Sequence, residues 1–506
     1  MGVPYNATAD LLERNLRHVD RPAFREPGRV TTYAQLAERA CRAGNALRAL
    51  GVQMEQRVMI CMLDCADVAA VFWGAMKAGI VPVPINTLLT PADVDYMLRD
   101  SRARVLVVST PLLERLEPIL SDQPFLQSVV VAGGRVPGRL SLEELLSPAT
   151  AQLDTAPTTT DDVAFWLYSS GSTGVPKGAM HLHHDLAQTA RLYGEGVLRI
   201  LPADVVFSAA KLFFAYGLGN AMTFPFAVGA CAVLLAERPT PEAVMRVLRD
   251  ERPTIFYGVP TLFAAILADA RNGRDTGSDR LRICVSAGES LPKDIGERWR
   301  ERFGVDILDG IGSTEMLHIF LSTHEGDVRY GTTGKPVPGY ELQIVGEDDR
   351  PVPRGAIGEL IVKGPSSAIA YWNQREKSLR TFRGPWTYTG DKYREDELGY
   401  YVYCGRSDDM IKASGQWVAP AEVEGALIAH PSVLEVAVVA HKDEYQLDKP
   451  KAFVVAKPGA IVSAEELQRF VKDRLAPFKY PRWIEFVDSL PKTATGKIQR
   501  FKLRAR

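Results

Sequence analysis

The feature that most constrains the fold is a repeated alternation between short apolar runs and longer amphipathic segments over roughly the first 400 residues. The apolar run RVMICML at 57–63 predicts a buried strand, and residues 66–79 predict a helix that ends at Gly79. The pattern returns near 205–235 and near 281–308. Because strands that alternate with helices form parallel sheets with helices on both faces, we expect an α/β fold with mixed, largely parallel sheets covered by helices.

The sequence changes in character after residue 404. The charged, glycine-bearing stretch GRSDDMIKASG is followed by two strand-like runs, LEVAVVAHKD and KPKAFVVAKPG, and by a helical pattern, SAEELQRFVKDRL. A small α+β module of about a hundred residues fits this order. We therefore predict a large N-terminal domain at 1–405 and a small C-terminal domain at 406–506.

Composition and charge exclude several classes of protein. Lys and Arg total 60 against 61 Asp and Glu, so no basic excess favours nucleic acid or an anionic membrane. No apolar run reaches the roughly 18 residues that a membrane span needs. The N-terminus lacks the regions of a signal peptide, and the six cysteines lack the paired spacing of a zinc site. We expect a cytoplasmic protein with reduced thiols that binds neither nucleic acid nor a membrane.

A loop rich in glycine, serine and threonine, YSSGSTGVPKG at 168–178, follows the strand-like run FWLYSS. Backbone N–H groups in such a turn form a concave nest for anionic oxygens, and Lys177 adds a positive charge. We expect the loop at the carboxyl end of its strand, where open α/β sheets bind ligands. It is not a Walker A loop, because Pro176 stands where that motif has glycine. By composition alone, a solvated surface loop is the alternative.

Four further motifs follow the loop in order. Glu315 ends DGIGSTE, and a carboxylate beside a triphosphate suits Mg²⁺. Asp391 is the last residue of YTGD and is a good acceptor for ribose hydroxyls. The motif GRSDDMIK supplies Arg406. The motif PKTATGK places Lys497 on a glycine-containing turn. Each motif alone fits a solvated turn. All five together, in this order and at this spacing, indicate a shared binding site.

These motifs resemble those of the adenylate-forming superfamily, which includes acyl- and aryl-CoA synthetases, peptide-synthetase adenylation domains and luciferases. The resemblance covers nearly the whole chain and is most specific at YSSGSTGVPKG, GSTE, YTGD, GRSDDMIK and PKTATGK. Within the superfamily the chain is most similar to the benzoate-type CoA ligases, through KLFFAYGLGNAMTFP, CVSAGE, DILDGIGSTEMLHIFLS and RYGTTGKPVPGY.

The resemblance implies a two-step reaction that uses ATP, Mg²⁺ and CoA. An aromatic carboxylate attacks the α-phosphate of ATP to give acyl-AMP and pyrophosphate, and the CoA thiol then displaces AMP. The first step brings two anions together and needs charge neutralisation. The implied catalytic residues are Lys497, Thr173, Glu315 and Lys177, with Glu315 as the metal ligand. The implied nucleotide-binding residues are Ser169, Ser170, Gly171, Ser172, Thr173, Gly174, Asp309, Gly310, Thr314, Asp391 and Arg406.

The resemblance also implies an acyl pocket and a mobile small domain. The implied acyl-binding residues are Ala215, Tyr216, Ala287, Gly312, His318 and Ile319. They describe a short, flat slot that suits one aromatic ring, in which His318 bonds a ring substituent or the carboxylate, or merely forms a wall. The small domain is expected to rotate about a hinge at Asp408 and to bring the CoA-channel residues Lys412, Ser414 and Gly415 to the site. Ile311 stands where many relatives carry an aromatic residue, so we expect adenine to meet an aliphatic side chain.

Four functions fit some of these residues. The first is an AMP-forming acid–thiol ligase of the benzoate–CoA ligase type, in aromatic acid metabolism, and the second loads the aryl group onto a carrier-protein thiol. The third is a non-catalytic nucleotide-binding regulator, which would have a degraded site, whereas Glu315, Lys497 and the loop are intact. The fourth is an unrelated P-loop ATPase, which Pro176 disfavours. Benzoate, a hydroxybenzoate and 2-aminobenzoate stay open as substrates, because they differ by one polar group. The prevalence of symmetric oligomers favours a homodimer.

Overall fold

The computed structural model describes residues 2–170, 175–407, 409–413, 416–444, 447–476, 478–492 and 498–504. In those ranges no helix is both long enough and apolar enough to cross a lipid bilayer. The α-helices there are Tyr33–Ala49, Ala66–Lys77, Pro91–Ser101, Thr110–Leu120, Leu142–Leu146, His183–Thr189, Ala215–Leu218, Phe224–Val228, Pro241–Glu251, Pro260–Ala268, Lys293–Phe303, Arg375–Thr381, Pro420–Ile428, Ala464–Lys472 and Arg500–Arg504.

The first sheet has five strands, and all of its pairings are parallel. Its spatial order is Val81–Pro84, Arg57–Cys61, Val105–Ser109, Ser128–Ala132 and Leu140–Ser141. The predicted strand at 57–63 and the predicted helix at 66–79 are both confirmed. The helix stops because Gly79 takes a left-handed backbone conformation, with φ +77°, that glycine adopts at little steric cost.

The second sheet has nine strands and provides the framework for the candidate site. Its central six strands pair in parallel, and antiparallel pairs close both edges. The spatial order is Lys335–Pro336, Ile319–Ser322, Ile307–Gly312, Ile283–Ser286, Ile255–Gly258, Val205–Ser208, Cys231–Val233, Pro22–Glu26 and Arg29–Thr32. The predicted class of mixed, largely parallel sheets with helices is therefore confirmed.

Two antiparallel sheets complete the part of the chain before residue 407. One contains Glu341–Val345, Gly358–Lys363, Trp386–Glu395 and Phe382–Arg383, with Tyr401–Arg406 paired to Trp386–Glu395. The other has three strands in the order Ala370–Tyr371, Pro176–Leu182 and Val163–Ser170. This small sheet carries three side chains of the candidate site, those of Ser169, Lys177 and Tyr371.

The C-terminal region has its own sheet and its own apolar cores. Val433–Lys442, Asp448–Ala456 and Trp483–Phe486 form a three-stranded sheet, and Ile411–Ala413 pairs with Gln416–Val418. One core, which includes Val423, Leu427, Val438 and Leu467, draws all of its buried members from residues after 410. Separate burial of this kind is typical of a domain; the boundary at 405/406 itself stays a prediction.

Candidate active site

The strands on either side of residues 171–174 form an antiparallel hairpin, Val163–Ser170 with Pro176–Leu182. The predicted strand before residues 171–174 is therefore confirmed, with its carboxyl end at Ser170, but it pairs in an antiparallel hairpin and not in an open parallel sheet. A strand-like sequence run specifies an extended backbone but not its partner, and here the partner is the next strand in the chain. Gly171, Ser172, Thr173 and Gly174 lie outside the described residues, and Ser170 is described only as the last residue of its strand.

Glu315 lies at the centre of the candidate site and is reached by three polar side chains. Its Oε1 accepts a hydrogen bond from Ser169 Oγ at 3.1 Å and another from the Tyr371 hydroxyl at 2.7 Å. Lys177 Nζ lies 4.0 Å from the same oxygen and donates to the Tyr371 hydroxyl at 3.2 Å. Ser169 and Lys177 are cross-strand partners in the hairpin, so their side chains project from one face of the sheet.

The electrostatics keep Glu315 ionised. Burial raises the pKa of its carboxyl, but the charge of Lys177 and the hydrogen bonds from Tyr371 and Ser169 outweigh burial, and the pKa is lowered overall. Burial has the opposite effect on the lysine: it lowers the pKa of Lys177, and the Glu315 carboxylate opposes that shift. The site thus holds a carboxylate and an ammonium close together without a direct hydrogen bond between them.

The donor set fits magnesium. In the described part of the chain no three His, Cys, Asp or Glu side chains come close enough to form a protein-only metal cage. Mg²⁺ commonly takes one or two carboxylates and completes its shell with phosphate oxygens and water. Because the hydrogen bonds to Glu315 fall on Oε1, its second oxygen, Oε2, suits the role of metal ligand.

The predicted nucleotide residues Asp309, Gly310, Asp391 and Arg406 lie on three strands of two different sheets. Asp309 is buried in the strand Ile307–Gly312; burial raises the pKa of its carboxyl well above the usual range, and its Oδ1 has no hydrogen-bond partner among the described residues. Gly310 follows it, and Asp391 is the cross-strand partner of Arg406, whose guanidinium lies 3.2 Å from Asp391 Oδ1. Burial first, and then the charge of Asp391, raise the pKa of Tyr393.

Two of the predicted acyl residues contact His318: Tyr216 lies beside its ring, and Gly312 lies against its backbone and that of Ile319. His318 Nε2 lies 3.3 Å from the Tyr216 carbonyl and 3.1 Å from Asn220 Oδ1. Because a carbonyl oxygen only accepts, Nε2 carries the proton and Nδ1 is an acceptor. Burial lowers the pKa of His318 to about 3, so the ring is neutral near pH 7.

Gly312 packs closely against the backbone of His318. A Cβ on Gly312 would stand 2.4 Å from the His318 carbonyl oxygen, so a side chain there requires the backbone to move. The Tyr216 hydroxyl donates a hydrogen bond to the Val285 carbonyl at 3.1 Å. Val285 lies two residues before Ala287, which is buried. The partly buried Ala215 and Ile311 pack against the large apolar core to which Ala287 and Ile319 belong.

Sequence reasoning missed two residues of the candidate site. Tyr371 joins Lys177 to Glu315, and the buried His181 contacts the Thr314 carbonyl at 2.8 Å through Nε2 and Asp185 at 2.9 Å through Nδ1. Both hold the turn that carries Glu315. The one available signal for His181 was its position in the strand that begins with Pro176 and Lys177; nothing local marked Tyr371.

The remaining predicted residues belong to the C-terminal part. Lys497, Asp408, Ser414 and Gly415 lie outside the described residues, and Lys412 is described only as part of the strand Ile411–Ala413. The residue after Lys497 is described: the Ile498 backbone N–H donates to Glu289 Oε1 at 3.1 Å. That contact ties the end of the PKTATGK motif to the CVSAGE motif of the large N-terminal part.

The chain combines parallel sheets, a lysine and a carboxylate beside an antiparallel hairpin, and a separate small C-terminal sheet, and this combination fits the class of adenylate-forming enzymes. Two family models match the chain: AMP-binding enzyme at residues 11–372 and AMP-binding enzyme C-terminal domain at residues 422–497. The chain belongs to the AMP-binding enzyme family.

The chain is similar to characterised members of that family over nearly its whole length. It is 58% identical to the benzoate–CoA ligase of Thauera aromatica, over 99% of this chain and 96% of that protein. A benzoate CoA ligase structure from Burkholderia xenovorans LB400 matches with TM-score 0.93 and 51% identity, covering 99% of this chain and 100% of that one. The anthranilate CoA ligase AuaEII, in complex with anthranoyl-AMP, matches with TM-score 0.96 and 44% identity, over 100% of this chain and 98% of its own.

Proposed function

We propose that this protein is an ATP-dependent aryl-CoA ligase that converts an aromatic carboxylate to acyl-AMP and then to an acyl-CoA thioester. The observation that carries the proposal is that the acyl pocket and the Glu315 site are only three residues apart in the chain. Gly312 lies against the His318 backbone in the acyl pocket, and Glu315, three positions later, faces Lys177 and Ser169. An aryl carboxylate in the pocket would therefore lie beside the phosphate site.

The pocket residues suit an uncharged ring better than a second anion. Nε2 of His318 is already occupied and Nδ1 is an acceptor, so this imidazole supplies no hydrogen bond to the substrate carboxylate. It contributes an aromatic wall, together with Tyr216, at a ring separation of 5.6 Å. Nδ1 also offers an acceptor to a hydroxyl or amino substituent, which keeps hydroxybenzoates and 2-aminobenzoate among the candidate acids.

In the first half-reaction a bond forms between a carboxylate oxygen and the α-phosphorus, and the bond to the pyrophosphate oxygen breaks. Lys177 is proposed to bind phosphate oxygens and Asp391 with Arg406 to hold the ribose, while the single hydroxyl proton of Ser169 is donated to Glu315 Oε1. Glu315 Oε2 would hold Mg²⁺, which neutralises phosphate charge when bound. Lys497 is proposed as the second cation at the α-phosphate.

In the second half-reaction the CoA sulfur forms a bond to the acyl carbon, the thiol proton is released, and AMP leaves. We propose that the domain at 406–506 rotates about Asp408 between the two half-reactions. The rotation would bring Lys412, Ser414 and Gly415 to the CoA channel and withdraw Lys497. A homodimer and a cytoplasmic location complete the proposal, and light scattering on the purified protein tests the first of these.

The test is release of AMP and pyrophosphate from ATP and Mg²⁺, with and without CoA. The acids are benzoate, 4-hydroxybenzoate and 2-aminobenzoate, with a medium-chain fatty acid as the control. CoA-dependent AMP release on an aryl acid is the expected result. Pyrophosphate exchange without turnover on CoA would move the acceptor to a carrier protein, and activity on the fatty acid alone would refute the aryl pocket.

A further inference from the structure

Tyr371 occupies a position in the candidate site that the strand register creates. Tyr371 pairs with Ala179 across the antiparallel ladder, and Lys177 lies two residues before Ala179 on that strand. Side chains two residues apart on a strand share a face, and Ser169 is the cross-strand partner of Lys177. Ser169, Lys177 and Tyr371 therefore project from one face of the three-stranded sheet, toward Glu315.

The Tyr371 hydroxyl bridges two charges that do not touch. It accepts a hydrogen bond from Lys177 Nζ at 3.2 Å and donates one to Glu315 Oε1 at 2.7 Å. The direct separation of Lys177 Nζ from Oε1 is 4.0 Å, longer than a hydrogen bond. The phenol is therefore a spacer: without its oxygen, the ammonium and the carboxylate are free to close into a direct ion pair.

The phenol is also held firmly. Its backbone N–H donates to Ser378 Oγ at 2.9 Å, its ring packs 5.2 Å from the Phe382 ring, and the residue is 3% exposed.

We propose that Tyr371 is a positioning residue that fixes the Glu315 carboxylate through Oε1, so that Oε2 is presented to Mg²⁺ and Lys177 stays available to phosphate. The proposal rests on the proposed function only in taking Mg·ATP as the ligand. Two donors on one oxygen, the Tyr371 and Ser169 hydroxyls, define the rotation of the carboxylate group. Groups that orient a metal-binding carboxylate commonly change metal affinity by about 10- to 100-fold when they are removed.

The experiment is a calorimetric measurement of ATP binding to the full chain, with Mg²⁺ and with EDTA, in the absence of any acid or CoA. The readout is the ratio of the two dissociation constants, which reports how much the metal strengthens ATP binding. For Tyr371→Phe we expect this ratio to fall by about tenfold. The matched control is Tyr5→Phe, which removes a hydroxyl that donates to Asp10 Oδ2 at 2.6 Å and belongs to none of the five motifs; its ratio should equal that of the unmodified protein.

A second variant, Ser169→Ala, removes the other donor to Oε1 and covers the case in which Tyr371→Phe is unstable. It too should lower the ratio, and the double variant should lower it by less than the product of the single effects, since both donors orient one oxygen. Unchanged ratios in both folded single variants would overturn the proposal. Because the assay needs neither an acid nor CoA, it stands even if the aryl-CoA ligase activity is not found.

Discussion

Gly312→Ala tests the geometry that links the acyl pocket to Glu315. The new Cβ would lie 2.4 Å from the His318 carbonyl oxygen, 2.6 Å from its carbonyl carbon and 2.8 Å from the Ile319 nitrogen. Ordinary contact begins at 3.4 Å, so one of the two strands has to move by about 1.0 Å. All three obstructing atoms are backbone, and no side-chain rotation relieves them. The shift displaces the pocket wall and the start of the turn to Glu315 together.

A displacement of about 1 Å in an active site commonly costs about 100-fold in rate, and overpacking costs about 1–3 kcal/mol of stability. We therefore expect kcat/KM for the aryl acid in AMP release to fall about 100-fold and the melting temperature to fall by a few degrees. Gly425→Ala is the control: it lies in the helix Pro420–Ile428, and a methyl group added there would have no atom within 4 Å, in a setting where alanine is favoured over glycine. Activity of Gly312→Ala within about threefold of the unmodified protein would refute the reasoning.

Three further predictions concern other parts of the molecule. Lys497→Ala should abolish adenylate formation but spare thioester formation from supplied acyl-AMP; equal loss of both would contradict its proposed role. Glu289→Ala removes the acceptor for the Ile498 N–H and should slow adenylate formation several-fold while thioester formation from acyl-AMP is retained, whereas a loss confined to the second step would argue against this contact. Burial holds the pKa of His318 at about 3, against 6.5 in the unfolded chain, so stability is lost as pH falls through 6.5, by about 1.4 kcal/mol between pH 8 and pH 5.5. His318→Phe should reduce the change in melting temperature between those two pH values, and an unreduced change would show that the pKa of His318 is not lowered in the folded protein.

Several elements of the fold could be predicted because their signals are local. The apolar run at 57–63 and the helix that ends at Gly79 are specified by residues adjacent in the chain. Lys177 and Glu315 could be selected because each lies in a short motif whose residue types fit phosphate or metal. Family membership could be inferred because five such motifs occur in one order.

The strand partners were not predictable in the same way. Val163–Ser170 has the sequence of a buried strand, yet it pairs with the following strand in an antiparallel hairpin rather than in an open parallel sheet. An apolar run favours an extended, buried backbone and does not choose between these partners. The choice depends on residues far away, including Ala370–Tyr371, which closes the other edge of the hairpin.

The sequence by itself determined which chemical groups this protein has and roughly where its strands and helices begin. Only the tertiary structure decided that Tyr371, 56 positions from Glu315 and 194 from Lys177, stands between them. Likewise, only packing decided that His318 is a neutral acceptor, since its tautomer is set by the carbonyl of Tyr216. The physical reason is the same in both cases: a hydrogen bond depends on the distance between two groups in space, and strand pairing and burial set that distance.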